Sequence, residues 1–268
     1  MVERYRRGRN KASLLGNHQQ CWLWGRNLVL ETLRAERWPV LELYCSDELT
    51  SEEAKVVRAL AKRHNCSVYV QTRSSIKNLC HSSEHQGYLA KMVEFPYMDP
   101  LLLLDQAMKD RKNPLFVICD GIQDPFNFGA LIRSAEVFGV DGIFIGTSYQ
   151  VVVTSRVARS SEGAVSHMAI ARSEDIREIA YSMKDRGIQV LGTSSNAGDS
   201  IFQCQLTQPT TIVVGNEGTG IRDSLREACS QLIHIPQFGE VSSLNAAVSA
   251  GVLFYEACRQ RSKNYENK

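Results

Sequence analysis

Apolar and polar positions along the chain follow helical and strand periods in alternation. Between Gly25 and Arg37 the apolar residues, Leu28 and Leu33 among them, gather on one face at helical spacing, which predicts an amphipathic helix. Val40 to Cys45 reads as a strand, and Ser51 to His64 as a second helix whose opening Ser51-Glu52-Glu53 suits a helix N-terminus. Cys66 to Val70 is a further strand, Ser74 to Leu79 a short helix, and Gly87 to Val93 a closing strand. Strands alternating with helices over about 75 residues predict a small α/β domain.

A break follows. Glu94 to Pro100 holds two prolines close together, and the stretch 96–113 reads as a linker with a connecting helix. A second α/β series begins at Asn113. Strands are expected at Leu115–Asp120, Gly142–Ile145, Met168–Ala171, Ile188–Thr193, Thr211–Gly215 and Leu232–Ile235. Helices are expected at Phe128–Phe138, Ser155–Glu162, Glu174–Asp185, Arg222–Cys229 and Leu244–Gln260. The strands are short and largely apolar, as in a buried parallel sheet, and ligands of such sheets sit at the carboxyl ends of strands. The division is therefore a tail over 1–17, a first domain over 18–95, a linker over 96–113, a second domain over 114–262 and a tail over 263–268.

Composition narrows this little. At 268 residues, 43% hydrophobic and 22% charged, the chain has the make-up of an ordinary folded protein with room for two domains. Its longest apolar run, Leu115 to Cys119, is far below the roughly 18–20 residues that span a bilayer. The charged N-terminus lacks the apolar segment of a secretory signal. None of the eight cysteines forms a C-x-x-C pair, so reduced thiols and a cytoplasmic location are expected. The net charge of +2 is uninformative, but its distribution is not: Arg4, Arg6, Arg7, Arg9 and Lys11 face only Glu3 in the first residues. Such a tail either holds phosphates or is merely soluble. Its arginine content also resembles an organelle transit peptide, although it is short and weakly amphipathic.

Three loops at carboxyl ends of expected strands carry candidate chemistry. In the first, Asp120 leads through Asn127 into a helix bearing Arg133. Early helix amides can meet a phosphate, and the Arg133 fork suits a phosphate or a developing oxyanion; the plainer alternative pairs Arg133 with Glu136 one turn on. The second, Gly215-Asn216-Glu217-Gly218-Thr219-Gly220, lets backbone approach a ligand. It matches neither a triphosphate loop nor a dinucleotide fingerprint, and it can equally be a tight turn with a solvated Glu217. In the third, Ile235 to Asn245, Ser243 is a fair helix N-cap with Asn245 in the first turn.

Taken in order, N-x-G-A-x-x-R-S-A, G-N-E-G-x-G and I-P-x-x-G-x-x-x-S-L-N-x-A-V resemble the motifs of the SpoU (TrmH) family of SPOUT methyltransferases. Arg159 to Ala164 resembles that family's S-x-G-A turn, with a bulky Glu162 inside it. Gly25, Val29, Glu31 and His85-Gln86-Gly87 are similar to the substrate-binding domain of rRNA-directed members. The resemblance implies a C-terminal SPOUT domain with a parallel sheet and a deep trefoil knot, a small N-terminal α/β RNA-binding domain, and a homodimer. It implies S-adenosylmethionine as cofactor and a ribose 2′-hydroxyl of RNA as acceptor, with a large-subunit rRNA guanosine favoured over tRNA. It assigns catalysis to Arg133, Asn127, Glu217, Ser243 and Asn245. Cofactor binding falls to Leu191, Gly192, Thr193, Gly215, Asn216, Gly218, Ile235, Ser243 and Leu244, and RNA contact to Arg26, His85 and Arg133. A guanidinium stays protonated in proteins, so Arg133 reads as a phosphate and oxyanion clamp rather than a base. Gln237-Phe238 and Ala246 depart from familiar versions of the third loop.

Other candidates weigh less. Cys80, His81 and His85 lack a further ligand pair, so no metal is expected. His234, beside the third loop, is a rival base or a structural mid-strand residue. Trp22, Trp24 and Trp38 are core residues or RNA-stacking groups. The competing functions are a tRNA ribose methyltransferase, a base methyltransferase of another SPOUT branch, and a non-catalytic RNA-binding protein of the same fold.

Overall fold

A computed structural model describes residues 13–17, 20–240 and 243–262. The basic residues Arg4 to Lys11 and the tail 263–268 lie outside the described residues, as do Val241 and Ser242 of the third loop. The chain divides into two units, Met1–Phe95 and Pro96–Lys268.

In the first unit β1 (Trp22–Trp24), α1 (Arg26–Ala35), β2 (Val40–Ser46), α2 (Ser51–His64), β3 (Ser67–Gln71), α3 (Arg73–Cys80) and β4 (Tyr88–Met92) follow in order. The sheet runs β1-β4-β2-β3, with β2–β3 parallel and the other pairs antiparallel. α2 starts where the sequence says it should, because Thr50 and Glu53 form a reciprocal capping box. Trp38 is fully buried and Trp22 nearly so, which makes both core residues. Trp22, Tyr44 and Tyr69 form a row of ring contacts at 5.6 and 5.0 Å across the sheet. β1 was not expected; it is too short to show a period and exists by pairing with β4.

The second unit opens with α4 (Pro100–Asp110), capped by Asp99. The stretch read as a linker thus carries a helix whose Leu103, Leu104 and Ala107 are buried in the core. It continues with β5 (Leu115–Asp120), α5 (Pro125–Val137), β6 (Gly142–Gly146), α6 (Ser155–Ser160), β7 (Ile170–Ser173), α7 (Ile176–Asp185), β8 (Gln189–Thr193), β9 (Asp199–Ser200), β10 (Thr210–Gly215), α8 (Asp223–Arg226), β11 (Gln231–His234) and α9 (Ala246–Ser262). Seven strands form a sheet in the order β7-β6-β5-β10-β8-β11-β9, and every pairing is parallel. β5, β6 and β10 are buried throughout, which explains their continuous apolar runs. Phe116 and Ile118 face a core shared with α4 and α7, and the intervening residues face the opposite side by strand alternation. α5 packs against α9 and α6.

α5 begins earlier than the apolar period suggests. Asp124 accepts hydrogen bonds from the Phe126 and Asn127 amides and Pro125 takes the first helical position. α9 begins later, at Ala246. Among the described residues no helix is long and apolar enough to cross a membrane, and no cluster of metal-ligating side chains occurs.

Candidate active site

The carboxyl edge of the second unit's sheet gathers the three loops. β10 ends at Gly215, where any Cβ would lie 2.3 Å from the Gly220 carbonyl carbon, so only glycine fits. Beyond it the chain closes on itself. Asn216 and Gly220 exchange backbone hydrogen bonds at 3.1 and 2.8 Å. The Asn216 side chain accepts from the Gly218 and Thr219 amides and donates to the Gly121 carbonyl at 2.8 Å. The turn is thereby fixed to the loop after β5, and it holds Glu217 outward.

Glu217 collects donors from the other two loops. Its Oε1 accepts from Asn127 Nδ2 at 2.6 Å, from Asn245 Nδ2 at 2.5 Å and from the Ala246 amide at 3.2 Å. Asn245 Nδ2 also donates to Asn127 Oδ1 at 3.0 Å. Charge-assisted bonds of this kind are stronger than neutral ones. Three residues assigned to catalysis by resemblance thus form one network.

The network corrects one expectation. The N-cap of α9 is Asn245, whose Oδ1 accepts from the Ala247 and Val248 amides at 3.0 and 3.3 Å; Ser243 lies before the helix and lines a cleft instead. An Asn at the cap outcompetes a Ser further out because its side-chain oxygen reaches the second and third amides directly.

That cleft, of about 300 Å³, is bounded by the loop Thr193–Asn196 after β8, the Gly215–Gly220 turn, Ile233–Ile235, Gln237, Leu244 and the first turns of α9. Val214, Ile233, Ile235, Leu244 and Leu253 supply apolar lining, and Ser194, Ser195 and Asn196 supply polar groups. His234 Nδ1, on the wall, is buried without a hydrogen-bond partner. A hollow that combines apolar side chains with many polar groups and exposed backbone suits an adenosine-bearing cofactor, which has an apolar ring face and polar edges. A second hollow of about 220 Å³ lies among Ile122, Gln123, Asp124 and Asn127, and it shares Asn216, Glu217, Gly218 and Ala246 with the first. Glu217 and its turn therefore form a wall that both hollows share.

Not every expected residue joins. Leu191 and Gly192 lie inside β8, where a Cβ on Gly192 would meet Leu232 at 2.7 Å and Cys229 at 2.8 Å, so this glycine serves packing. Thr193 reaches the cleft mouth, its hydroxyl donating to the Val213 carbonyl at 2.9 Å. Arg133 sits further along α5, and its guanidinium pairs with Glu162 at 2.6 Å rather than with Glu136. Arg26 and His85 belong to the first unit. Arg26 opens α1, its amide donating to Gln86 Oε1 at 2.9 Å and its guanidinium 3.5 Å from Glu53. His85 is only 2% exposed, and its Nδ1 accepts the Gly87 amide at 3.0 Å. Burial, with the charge of Arg73, lowers its pKa, so the ring is neutral at pH 7 and pins the turn.

Two features escaped the sequence reading. The polar run Ser194-Ser195-Asn196 lines the cleft, and its place at a strand's carboxyl end was the available signal. Asp120, with no exposed side-chain surface, accepts from the Arg222 amide at 2.8 Å and from its guanidinium at 2.7 and 2.5 Å. Nothing in the local sequence joins those two residues.

Known proteins match this architecture. The SpoU rRNA Methylase family matches residues 114–255, and a domain described as RNA 2'-O ribose methyltransferase substrate binding matches residues 22–98. The chain belongs to the SpoU rRNA methylase family. As a SpoU methylase it is an RNA methyltransferase that uses S-adenosylmethionine as methyl donor. It is similar to the putative TrmH family tRNA/rRNA methyltransferase YacO of Bacillus subtilis, 33% identical over 91% of this chain and 98% of that protein. It is 30% identical to the 23S rRNA (guanosine-2'-O-)-methyltransferase RlmB of Vibrio parahaemolyticus, over 90% of this chain and 97% of that one. Among solved structures it resembles the SpoU methyltransferase AviRb of Streptomyces viridochromogenes in complex with AdoMet, with a TM-score of 0.76 and 28% identity over 93% of this chain and 96% of that one.

Proposed function

We propose that this SpoU methylase methylates a ribose 2′-hydroxyl of RNA and that its acceptor is a guanosine of large-subunit rRNA. The observation that carries the reading is that Glu217, held by Asn127 and Asn245, lines both hollows. A transferase needs two sites in register. The larger hollow, with its mixed polar and apolar lining, suits the cofactor and the smaller one the acceptor nucleoside. The choice of rRNA is supported by the substrate-binding domain and by the activity named for the Vibrio relative.

In this reading Thr193, Gly215, Asn216, Gly218, Ile235, Ser243 and Leu244 hold the cofactor, which supplies an electrophilic methyl group. Glu217 and the two asparagines fix the loops around the ribose. The ribose oxygen would take that methyl as the carbon–sulfur bond of the sulfonium breaks to leave a neutral thioether, and the hydroxyl proton would pass to solvent, so negative charge builds on the oxygen as the proton leaves. Arg133 stabilises this charge and grips an adjacent phosphate, because a guanidinium holds its proton and offers a planar fork of donors.

Arg133 lies about nine ångströms along α5 from Asn127 and about a third of a turn around it, by helix geometry. The two side chains thus diverge within one subunit. This supports a homodimer in which Arg133 serves the partner subunit's hollow. Phe126 and Val137 of α5 and Val248, Val252 and Tyr255 of α9 expose apolar surface on neighbouring helices, which suits such an interface. The trefoil knot and a cytoplasmic location belong to the same reading. The return of α9 from the loop after β11 to pack on α5 and β10 supports the first.

The deciding experiment incubates the protein with unmodified large-subunit rRNA transcript and labelled S-adenosylmethionine, then digests the RNA to nucleosides. Label in 2′-O-methylguanosine is the expected result. Label on a base overturns the reading, and label only with tRNA transcripts moves the substrate. A map of ribose methylation in cells with and without the gene then locates the nucleotide.

A further inference from the structure

Glu162 is the residue that the reaction does not use. It sits in the turn after α6, in an otherwise family-like S-x-G-A stretch, and its backbone is left-handed at φ 49. L-residues adopt that conformation at an energetic penalty, and a glycine would take it freely.

The turn is held firmly. Its amides at Glu162 and Gly163 return to the Arg159 and Ala158 carbonyls, closing the end of α6. α6 in turn is seated on α5: Ser160 Oγ donates to the Pro125 carbonyl at 3.0 Å, and a Cβ on Gly129 would collide with Ser160 at 1.8 Å. The carboxylate is thus carried by a rigid hairpin to the flank of α5, where it lies 2.6 Å from Arg133 Nη1. The two side chains remain 63% and 52% exposed. The pair is therefore accessible to an incoming anion and weakly held, as exposed pairs are.

We propose that Glu162 is a built-in stand-in for an RNA phosphate: it occupies the Arg133 fork in the unloaded enzyme and is displaced when RNA binds. A carboxylate and an RNA phosphodiester each offer an arginine a pair of oxygens sharing one negative charge, so the exchange is nearly even at Arg133 itself and is driven by the other contacts of the RNA. The exchange keeps Arg133 extended and ready without RNA, and it subtracts from the affinity for RNA. Short anionic ligands then bind poorly, and only RNA that engages several contacts at once displaces the carboxylate. This rests on the proposed role of Arg133 in ribose methylation, and Glu162 enters it only as a competitor of the phosphate.

The test compares wild type, Glu162→Gln and Glu162→Gly with unmodified large-subunit rRNA transcript, in direct binding and in turnover. Both variants remove the competing charge, while their backbones respond in opposite ways: glycine relieves the left-handed residue and glutamine keeps it. The expected result is the same for both, RNA binding about two- to fivefold tighter, as an exposed pair allows, with kcat unchanged. The salt dependence of binding is expected to stay as in wild type, since Arg133 meets a phosphate in every complex. Unaltered or weaker RNA binding overturns the proposal, and so does a fall in kcat at constant affinity, which makes Glu162 a brace for the reactive pose. Tighter binding by the glycine variant alone attributes the effect to backbone relief and overturns it too. Wild-type enzyme that leaves no methyl on ribose breaks the proposed function instead, and the binding comparison still reads the exchange at Arg133.

Discussion

Two arginine–carboxylate pairs stand in the same unit and behave as opposites. Asp120 closes β5 with its side chain wholly buried and takes three contacts from Arg222, one of them from the backbone amide. Glu162 meets Arg133 through one contact between two half-exposed groups. The chemistry is the same and the surroundings decide its meaning. A carboxylate removed from water has no substitute for its partner, so its pair is a scaffold. A carboxylate left in water exchanges its partner at little expense, so its pair is a switch. The first pair ties the chain leaving the Glu217 turn to the centre of the sheet, and the second keeps a substrate-binding group occupied.

The comparison breaks or sharpens with four substitutions. Asp120→Asn leaves Arg222, itself 43% exposed, facing an uncharged buried group, and urea unfolding is expected to show a loss of about 1–3 kcal/mol. A loss near zero would place this pair with its exposed counterpart. Arg133→Lys keeps the charge but not the fork, and a fall in kcat of roughly a hundredfold is expected from the loss of an oriented donor. Near-full turnover at unchanged RNA affinity breaks the clamp account. Glu217→Gln keeps one acceptor oxygen and brings an amide toward two asparagine donors; kcat/KM is expected to drop by about tenfold, the scale of one lost hydrogen bond. If the drop matches that of Asn245→Ala and the double variant adds nothing further, Glu217 and Asn245 act as one unit. Glu162→Gln has the smallest effect, a few-fold gain in RNA affinity, and thermal unfolding is expected to remain almost where it was.

Much of this was legible in the sequence, for identifiable reasons. The strands β5, β6 and β10 announce themselves because both faces are buried, and α2 because its cap and first-turn acids are local signals. The start of α5 was misjudged because the apolar period begins after its cap, and that of α9 because the apolar Leu244 precedes its cap. Asp124-Pro125 and Asn245 set those ends by hydrogen bonding, which periodicity does not record. β1 and the two-residue β9 are products of pairing and carry no pattern of their own. The three site loops could be recognised one by one. Their union could not, because Asn127 and Asn245 are 118 positions apart and meet only through the sheet. For the same reason Glu136, a neighbour on the helix, was the visible partner for Arg133, and Glu162 was visible only as a bulky residue in a tight turn.

Asn245 has a consequence beyond holding Glu217. One side chain begins α9 and completes the network, so the first turn of the helix and the assembled site form or fray together. A ligand that tightens the network acts as a local folding agent for residues 246–248 and slows the exchange of their amide hydrogens with solvent. The backbone of α9 is thereby an occupancy gauge, readable by hydrogen exchange whichever RNA the enzyme modifies.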